Sequence, residues 1–175
     1  MKNISDLSFL IVDDDRHMLS IVRLLLQAFG VDIVHECVEA GRAVEMFRAI
    51  RPDIIIVSQN IGPMSGIEFA KAVRRSKESP DRHVPIILIT PLSKRRNLYE
   101  ARDAGITEIL IKPVTGEELL ARIESIIRSP RPFIEVANYV GPCRRRMQLP
   151  SFRGPDRRKK SASLAVAHLS ERVAG

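Results

Sequence analysis

Apolar residues in the first 129 positions follow two kinds of pattern that alternate five times. One kind is a short apolar run that ends in polar side chains, which is typical of strands buried on both faces of a sheet. The second run alternates more loosely, as a more exposed strand does. The runs predict strands at residues 7–12, 31–38, 53–57, 85–90 and 108–111.

The segments between these strands carry apolar residues at spacings of three and four, the period of an amphipathic helix. Capping-box spacing from Ser65 to Glu68 and from Thr115 to Glu118 predicts the starts of the third and fifth helices. Five strands that alternate with five helices predict an α/β fold with a doubly wound parallel sheet. The first helix, over residues 16–29, shows the clearest apolar face: Met18, Val22, Leu25, Leu26 and Phe29.

Polar residues that follow the strands are the candidates for function, because open parallel sheets bind ligands outside the carboxyl ends of their strands. Each of these residues has an ordinary explanation when taken alone: acids favour helix starts, a hydroxyl often ends a strand, and a lysine is often solvated. Asp15 fits such a helix cap better than a ligand role. Their shared position at one sheet edge favours a single site. The candidates are Asp13, Asp14, Ser58, Thr90 and Lys112.

Four stretches of the chain carry a resemblance to a known family: FLIVDDD, PDIIIVSQNIGPMSG, VPIILIT and AGITEILIKP. They resemble the receiver domain of bacterial two-component response regulators, and the resemblance covers residues 7–128. It implies a flavodoxin-like receiver fold with five parallel strands in the order 2-1-3-4-5. It also implies a role in phosphorelay signal transduction, with a histidine kinase, a phosphotransfer protein or another regulator as partner.

The resemblance also assigns roles to the residues at the strand ends. Asp13 and Asp14 match the acidic pair that holds Mg²⁺, and the backbone carbonyl of Asn60 would complete that metal site. Thr90 matches the switch hydroxyl of the family. Lys112 matches the lysine that contacts the phosphoryl group.

Ser58 occupies the position at which the family carries its phosphoaccepting aspartate. A serine has no carboxylate, so it cannot form an acyl phosphate, and it removes one of the three negative charges that bind the metal. We therefore expect weak or absent Mg²⁺ binding, no required cofactor and no enzymatic activity. Asp53 is not a substitute acceptor, because it lies five residues earlier, roughly 16 Å away at the other end of the strand. Phosphorylation of Ser58 by a kinase stays open as an alternative.

Three further positions depart from the family pattern in the same direction. Ile109 stands where the family usually has a Tyr or Phe ring that moves with the switch hydroxyl. Pro91 follows Thr90 where a small residue is usual, and Gly62 replaces a usual proline. The sequence therefore predicts that the moving aromatic ring, which transmits the signal in the family, is lost together with the phosphoaccepting aspartate. The resemblance also implies a cis peptide bond at Lys112–Pro113.

Charge divides the chain near Pro130. The first 129 residues carry 18 Lys/Arg and 18 Asp/Glu, whereas the last 46 carry ten basic and three acidic residues, which accounts for the whole net charge of +7. We therefore predict a receiver-like domain over residues 1–129 and a basic, flexible tail of low order over residues 130–175.

Two segments of the tail resemble each other, YVGPCRRRM at 139–147 and FRGPDRRKK at 152–160. Each reads aromatic-x-Gly-Pro-x-Arg-Arg-basic, and Gly-Pro is expected to form a turn that presents the basic triplet. The triplets are expected to contact nucleic acid, an anionic lipid surface or an acidic protein, with a solvated disordered tail as the alternative. Residues 163–173 are expected to form a short helix. The candidate anion-binding residues are Arg144, Arg145, Arg146, Arg157, Arg158, Lys159 and Lys160.

Three functional hypotheses follow from these patterns. The first is a protein–protein interaction module that acts without aspartyl phosphorylation, through the face formed by helix 4, strand 5 and helix 5. The second is a receiver that is phosphorylated on an unusual acceptor, and the third is a nucleic-acid-associated regulator whose output is the basic tail. A hydrolase built on Ser58 is disfavoured, because no GxSxG motif surrounds it. On the first hypothesis, helix 4 offers a partner Lys94, Arg95, Arg96 and Tyr99, with an ordinary solvated helix as the alternative.

The cellular location is predicted from three absences in the sequence. No run reaches 18 apolar residues, so no transmembrane helix is expected, and the first 15 residues lack the pattern of a signal peptide. Cys37 and Cys143 are isolated and are expected to be unpaired thiols in a reducing compartment. A cytoplasmic protein is the resulting expectation.

Overall fold

Five parallel strands form the central sheet of the computed structural model, which describes residues 3–91, 95–143 and 163–165. The strands lie in the order β2-β1-β3-β4-β5, and every neighbouring pair is parallel. The predicted fold class and strand order are therefore confirmed. The strands are β1 (Ser8–Val12), β2 (Ile33–Cys37), β3 (Ile54–Ser58), β4 (Ile86–Thr90) and β5 (Glu108–Ile111).

Helices connect these strands, and polar side chains fix where three of them begin. Asp15 caps the first helix by accepting a hydrogen bond from the backbone N–H of His17 at 2.8 Å. The predicted capping box of Ser65 and Glu68 is present at the third helix, and Thr115 caps the fifth. The helices are α1 (Arg16–Ala28), α2 (Ala40–Ile50), α3 (Gly66–Arg75), α4 (Arg95–Asp103) and α5 (Gly116–Arg128).

The sheet is covered on both faces, which explains why its strands are apolar at consecutive positions. Successive side chains of a strand point to opposite faces. Phe9 and Ile11 of β1 therefore pack with the buried residues of α1 and α5, whereas Leu10 and Val12 pack with those of α2 and α3. All five residues of β3 and of β4 are buried.

The chain after α5 forms a second, antiparallel sheet that the sequence did not predict. β6 (Phe133–Val136) and β7 (Tyr139–Pro142) form a hairpin, and β8 (Ser163–Ala165) pairs with β6. These strands differ from the predicted tail of low order. Their physical basis is apolar burial, because Phe133 and Val140 are buried.

Two local predictions in this region need correction. Gly141–Pro142, expected to form a turn, lies in β7, and the hairpin turns at residues 137–138 instead. Residues 163–165, expected to begin a helix, form a strand because their backbone pairs with β6. The second copy of the repeat and residues 166–173 lie outside the described residues. So do the predicted anion-binding residues Arg144, Arg145, Arg146, Arg157, Arg158, Lys159 and Lys160.

Candidate functional site

The structure brings the predicted site residues together at the carboxyl ends of the strands. Asp13 follows β1, Ser58 ends β3, Thr90 ends β4 and Lys112 follows β5. The side chains of Asp13, Ser58 and Thr90 are buried, and that of Lys112 is partly exposed. The backbone N–H of Lys112 donates to the carbonyl of Thr90 at 2.9 Å, which holds the ends of β4 and β5 side by side.

Asp13 is the buried charge at the centre of this group. Its Oδ1 accepts a hydrogen bond from the Asp15 backbone N–H at 2.9 Å, and its Oδ2 lies 3.9 Å from Lys112 Nζ. Burial raises the pKa of the Asp13 carboxyl above its ordinary value. The Asp15 amide, the Lys112 charge and a hydrogen bond with Ser58 oppose that rise without cancelling it. The Asp13 carboxylate is thus poorly solvated, and its neighbours offset only part of the cost of burying its charge.

Asp14 and the loop after β3 form the outer wall of the site. Asp14 is exposed, and its Oδ2 accepts a hydrogen bond from the Gly62 backbone N–H at 3.3 Å. The loop folds back on itself, since residues 60–61 pair antiparallel with residues 64–65. Gly62 has a φ of +78°, a left-handed conformation that glycine adopts without strain. The glycine therefore suits a tight turn at the position where the family usually has proline.

Ser58 is held in place by the start of α3. The Gly66 N–H donates to the Gln59 carbonyl at 2.9 Å, and a Cβ on Gly66 would lie only 2.2 Å from the Ser58 carbonyl oxygen. Helix and strand therefore meet backbone to backbone. Ser58 is buried with its hydroxyl near Asp13, at the same depth in the sheet as Ile89 of β4. No carboxylate occupies this strand end.

The donor set at this edge fits Mg²⁺ poorly. Mg²⁺ prefers hard, charged oxygen ligands in near-octahedral geometry. Asp13 and Asp14 supply two carboxylates, but each already accepts a backbone hydrogen bond, and the third charged ligand is replaced by the neutral hydroxyl of Ser58. Within residues 3–91, 95–143 and 163–165, no group of three or more His, Cys, Asp or Glu side chains is arranged to hold a metal ion.

The positions predicted to differ from the family lie around Thr90 and β5. Ile109 is partly buried and packs against the core cluster on the α2 and α3 side of the sheet. Pro91 is exposed directly after Thr90. The expected cis peptide bond at Lys112–Pro113 is present.

The face formed by α4, β5 and α5, called here the partner face, has an exposed apolar and aromatic surface. Tyr99 of α4 is 49% exposed and Ile111 of β5 is 42% exposed. The guanidinium of Arg102 lies 4.9 Å from the centroid of the Tyr99 ring, a cation–π contact that holds the ring on the surface. Lys94 and the side chains of Arg95 and Arg96, which were predicted to contribute here, lie outside the described part of the chain.

Sequence reasoning missed two buried charges at the opposite, amino end of the sheet. Arg74 of α3 is 1% exposed, and its Nε and Nη1 donate to the carbonyls of Gly105 and Arg82. Glu108 at the start of β5 is also buried, with its Oε2 3.5 Å from Arg122 Nη1. A signal for Arg74 was available, because it lies four residues after the core residue Ala70 and so falls on the apolar face of α3.

The fold and the arrangement at its carboxyl edge define a receiver domain of a two-component response regulator. The chain belongs to this family: the family description "Response regulator receiver domain" matches residues 9–124. Among curated proteins, it is 31% identical over 120 residues to the chemotaxis protein CheY of Pseudomonas aeruginosa, covering 69% of this chain and 95% of that protein. It is 28% identical to the phosphate regulon transcriptional regulatory protein PhoB of the same organism, covering 71% of this chain and 53% of that protein.

Solved structures show the same relationship. The chemotaxis response regulator CheY4 of Vibrio cholerae superposes with a TM-score of 0.62 at 29% identity, covering 69% of this chain and 98% of that one. The CheX–CheY–BeF3–Mg complex of Borrelia burgdorferi gives a TM-score of 0.63 at 20% identity, a likeness of fold alone. No helix in the described residues is long and apolar enough to cross a membrane.

Proposed function

We propose that this receiver acts through protein–protein contacts and is not phosphorylated on an aspartate. The observation that carries the proposal is Ser58, which stands at the end of β3 among the residues that match the family's phosphorylation site. Phosphoryl transfer to a receiver requires a carboxylate oxygen as the acceptor. The serine hydroxyl is buried beside Asp13, so Ser58 offers neither a carboxylate that could become an acyl phosphate nor an exposed alcohol.

The remaining charges support the same proposal. Lys112, which would contact a phosphoryl group, has Asp13 as its charged neighbour at 3.9 Å. In this arrangement the lysine offsets one buried carboxylate without any metal ion. Mg²⁺ is therefore expected to bind weakly or not at all, and no cofactor is required. The acidic pair and the lysine become a fixed charge cluster at the carboxyl edge of the sheet.

The experiment for this proposal is intact-mass analysis after incubation with acetyl phosphate and Mg²⁺. Ser58→Asp, which restores a carboxylate at the same strand end, is the matched control. The expected result is an adduct of about 80 daltons, one phosphoryl group, on the variant only. An adduct of that mass on the native chain would overturn the proposal and would direct the mapping of the modified residue.

The partner face is the proposed site of protein contacts. Its exposed Tyr99 and Ile111 offer the aromatic and apolar area that protein interfaces use as anchors. A histidine kinase, a phosphotransfer protein or another regulator is the expected partner class. Binding of such candidates is measured with Ile111→Asp, and with Leu24→Asp as control, because Leu24 is 59% exposed on α1, outside the partner face. We expect only the first variant to lose binding, and equal loss in both would contradict this assignment.

A further inference from the structure

The hairpin after α5 packs against the domain backbone to backbone. A Cβ on Gly141 of β7 would lie 2.7 Å from Gly105 Cα, and a Cβ on Gly105 would lie 2.6 Å from the Val140 carbonyl oxygen. Both distances are shorter than a side-chain carbon can approach. Gly105 lies in the turn after α4, following Ala104, and has a φ of +85°, so it is required for the turn as well as for the contact.

A hydrogen-bonded guanidinium ties the same turn to both ends of the hairpin. Arg131 Nη1 donates to the Thr107 carbonyl at 3.1 Å, and its Nη2 donates to the Cys143 carbonyl. The Cys143 N–H in turn donates to the Pro132 carbonyl at 2.7 Å. Thr107 immediately precedes β5 and its hydroxyl accepts from the Ile86 N–H at 3.0 Å. The hairpin thus holds Thr107, the residue immediately before β5.

Arg74 connects the hairpin to three other parts of the domain. Its guanidinium lies 5.1 Å from the centroid of the Phe133 ring of β6, and it donates to Gly105 O at 3.1 Å and to Arg82 O at 2.9 Å. Arg82 also forms an ion pair with Glu135 of β6. Burial lowers the pKa of the Arg74 guanidinium to about 9, so it stays protonated at neutral pH. A buried cation at the end of α3 therefore contacts both the turn after α4 and the hairpin.

We propose that residues 130–143, called here the strap, form a conformational clamp on the partner face. While the strap is docked, it fixes the turn after α4 and the residue before β5, and these positions join two of the three elements of that face. When the strap is released, α4 is freed locally while the rest of the domain stays folded. The inference takes only the location of the partner face from the proposed function, and it holds or fails independently of phosphorylation.

Hydrogen–deuterium exchange of the full chain, followed by mass spectrometry, tests the clamp without any partner. The releasing variant is Gly141→Val, which cannot make the close contact with Gly105. Ala137→Ser is the control, because Ala137 is exposed in the hairpin turn. We expect amides of residues 95–107 to exchange at least about tenfold faster in Gly141→Val, with α1 and α2 unchanged and with no change in the control.

A second variant keeps the test decisive if Gly141→Val does not fold. Glu135→Lys replaces the ion pair with Arg82 by repulsion and leaves the core intact, since both side chains are partly exposed. We expect about threefold faster exchange confined to residues 95–107 and 130–143. Faster exchange of the hairpin with unchanged exchange of α4 would overturn the proposal, because the strap would then pack on the domain without restraining α4. Equal acceleration of all five helices would also overturn it.

Discussion

At the carboxyl end of the sheet the buried charge is a carboxylate, Asp13, with Lys112 Nζ at 3.9 Å. Of the two buried charges at the amino end, the guanidinium of Arg74 donates to two backbone carbonyls. The first charge faces a partly exposed side chain that can rearrange. The second is bound to backbone atoms that cannot move without the strands and turns that carry them. Backbone carbonyls hold Nε and Nη1 of Arg74, while its buried Nη2 has no hydrogen-bond partner among the described residues. A charge held by backbone is therefore structural, whereas a charge left to a flexible partner keeps the character of a binding site.

The two ends also differ in where their residues come from. The residues at the carboxyl end all belong to the stretches that resemble the receiver family, and Ser58 stands among them where the resemblance implies an aspartate. At the amino end, Arg74 and Gly105 lie inside the receiver domain but meet residues of the strap, beyond the region matched to the family. The residues at the carboxyl end thus lie within the region matched to the family, whereas the contact at the amino end is made with residues beyond that region.

The largest effect that tests this contrast is expected at the amino end. Arg74→Met removes two hydrogen bonds from a buried charged donor and leaves the Gly105 and Arg82 carbonyls without it. We expect the free energy of unfolding to fall by about 3 kcal/mol, since hydrogen bonds to charged groups contribute about 1.5–3 kcal/mol each. Urea denaturation measures it. Arg75→Met is the matched control, because Arg75 is the exposed neighbour, and similar losses in both variants would contradict the structural role of Arg74.

At the carboxyl end, Ser58→Asp should restore dependence on a divalent cation. A third carboxylate beside Asp13 and Asp14 adds like charge to a crowded site, so we expect the free energy of unfolding without metal to fall by about 2 kcal/mol. Mg²⁺ should recover most of that loss, whereas the native chain should respond little. Thermal unfolding over a MgCl₂ titration measures both, with the neutral Ser58→Asn as control. Equal responses of the native and Ser58→Asp chains would show that Ser58 does not weaken metal binding.

The pH dependence of stability isolates the contribution of Asp13. Burial raises its pKa in the folded state above the ordinary value of 3.8, so the folded chain keeps a proton that the unfolded chain has already released. The contribution of Asp13 to the free energy of unfolding is therefore present below pH 3.8 and is lost as pH rises through the folded pKa.

The variant that checks this sign is Asp13→Asn, which has no charge to bury. We expect it to be more stable than the native chain at neutral pH, with the difference shrinking as pH is lowered toward 4. Urea denaturation of both chains across that range measures the difference. A variant that is less stable at neutral pH would mean that the contact with Lys112 outweighs the burial of the carboxylate.

The smallest effect is expected from the ion pair between Arg82 and Glu135. Both side chains are partly exposed, so the attraction is screened by water and salt. Glu135→Gln should lower the free energy of unfolding by about 0.5 kcal/mol, and the difference should vanish in concentrated salt. A larger, salt-independent loss in urea denaturation would indicate that this pair, and not the contact between Gly105 and Gly141, is the main anchor of the strap.

The carboxyl end was predictable from sequence because each of its parts is local. An apolar run marks each strand, and the next polar residue falls at the strand end by the geometry of a parallel sheet. Asp13, Ser58, Thr90 and Lys112 therefore came together as expected. The substitution of Ser58 was visible for the same reason, since one position changed within an otherwise intact motif.

The amino end was not predictable because its contacts join distant parts of the chain. Phe133 and Val140 lie in a segment rich in Gly, Pro and Arg, which has the composition of a solvated tail. Their burial depends on a surface formed by Arg74 and Gly105, and nothing local to residues 130–143 reveals that surface. Gly141–Pro142 is also a common turn sequence, so its place in a strand depends on pairing with β6 and on the approach to Gly105.

The contact between Gly105 and Gly141 makes two positions that are 36 residues apart depend on each other. A larger residue at either position removes the contact. Once one glycine is substituted, the other is no longer needed for that contact. Among receivers that continue beyond their last helix, chains with glycine at both positions are expected to carry the strap. Chains with a bulky residue at either should direct the following segment elsewhere. The pair thus provides a criterion, readable from an alignment, for which receivers are expected to carry the strap.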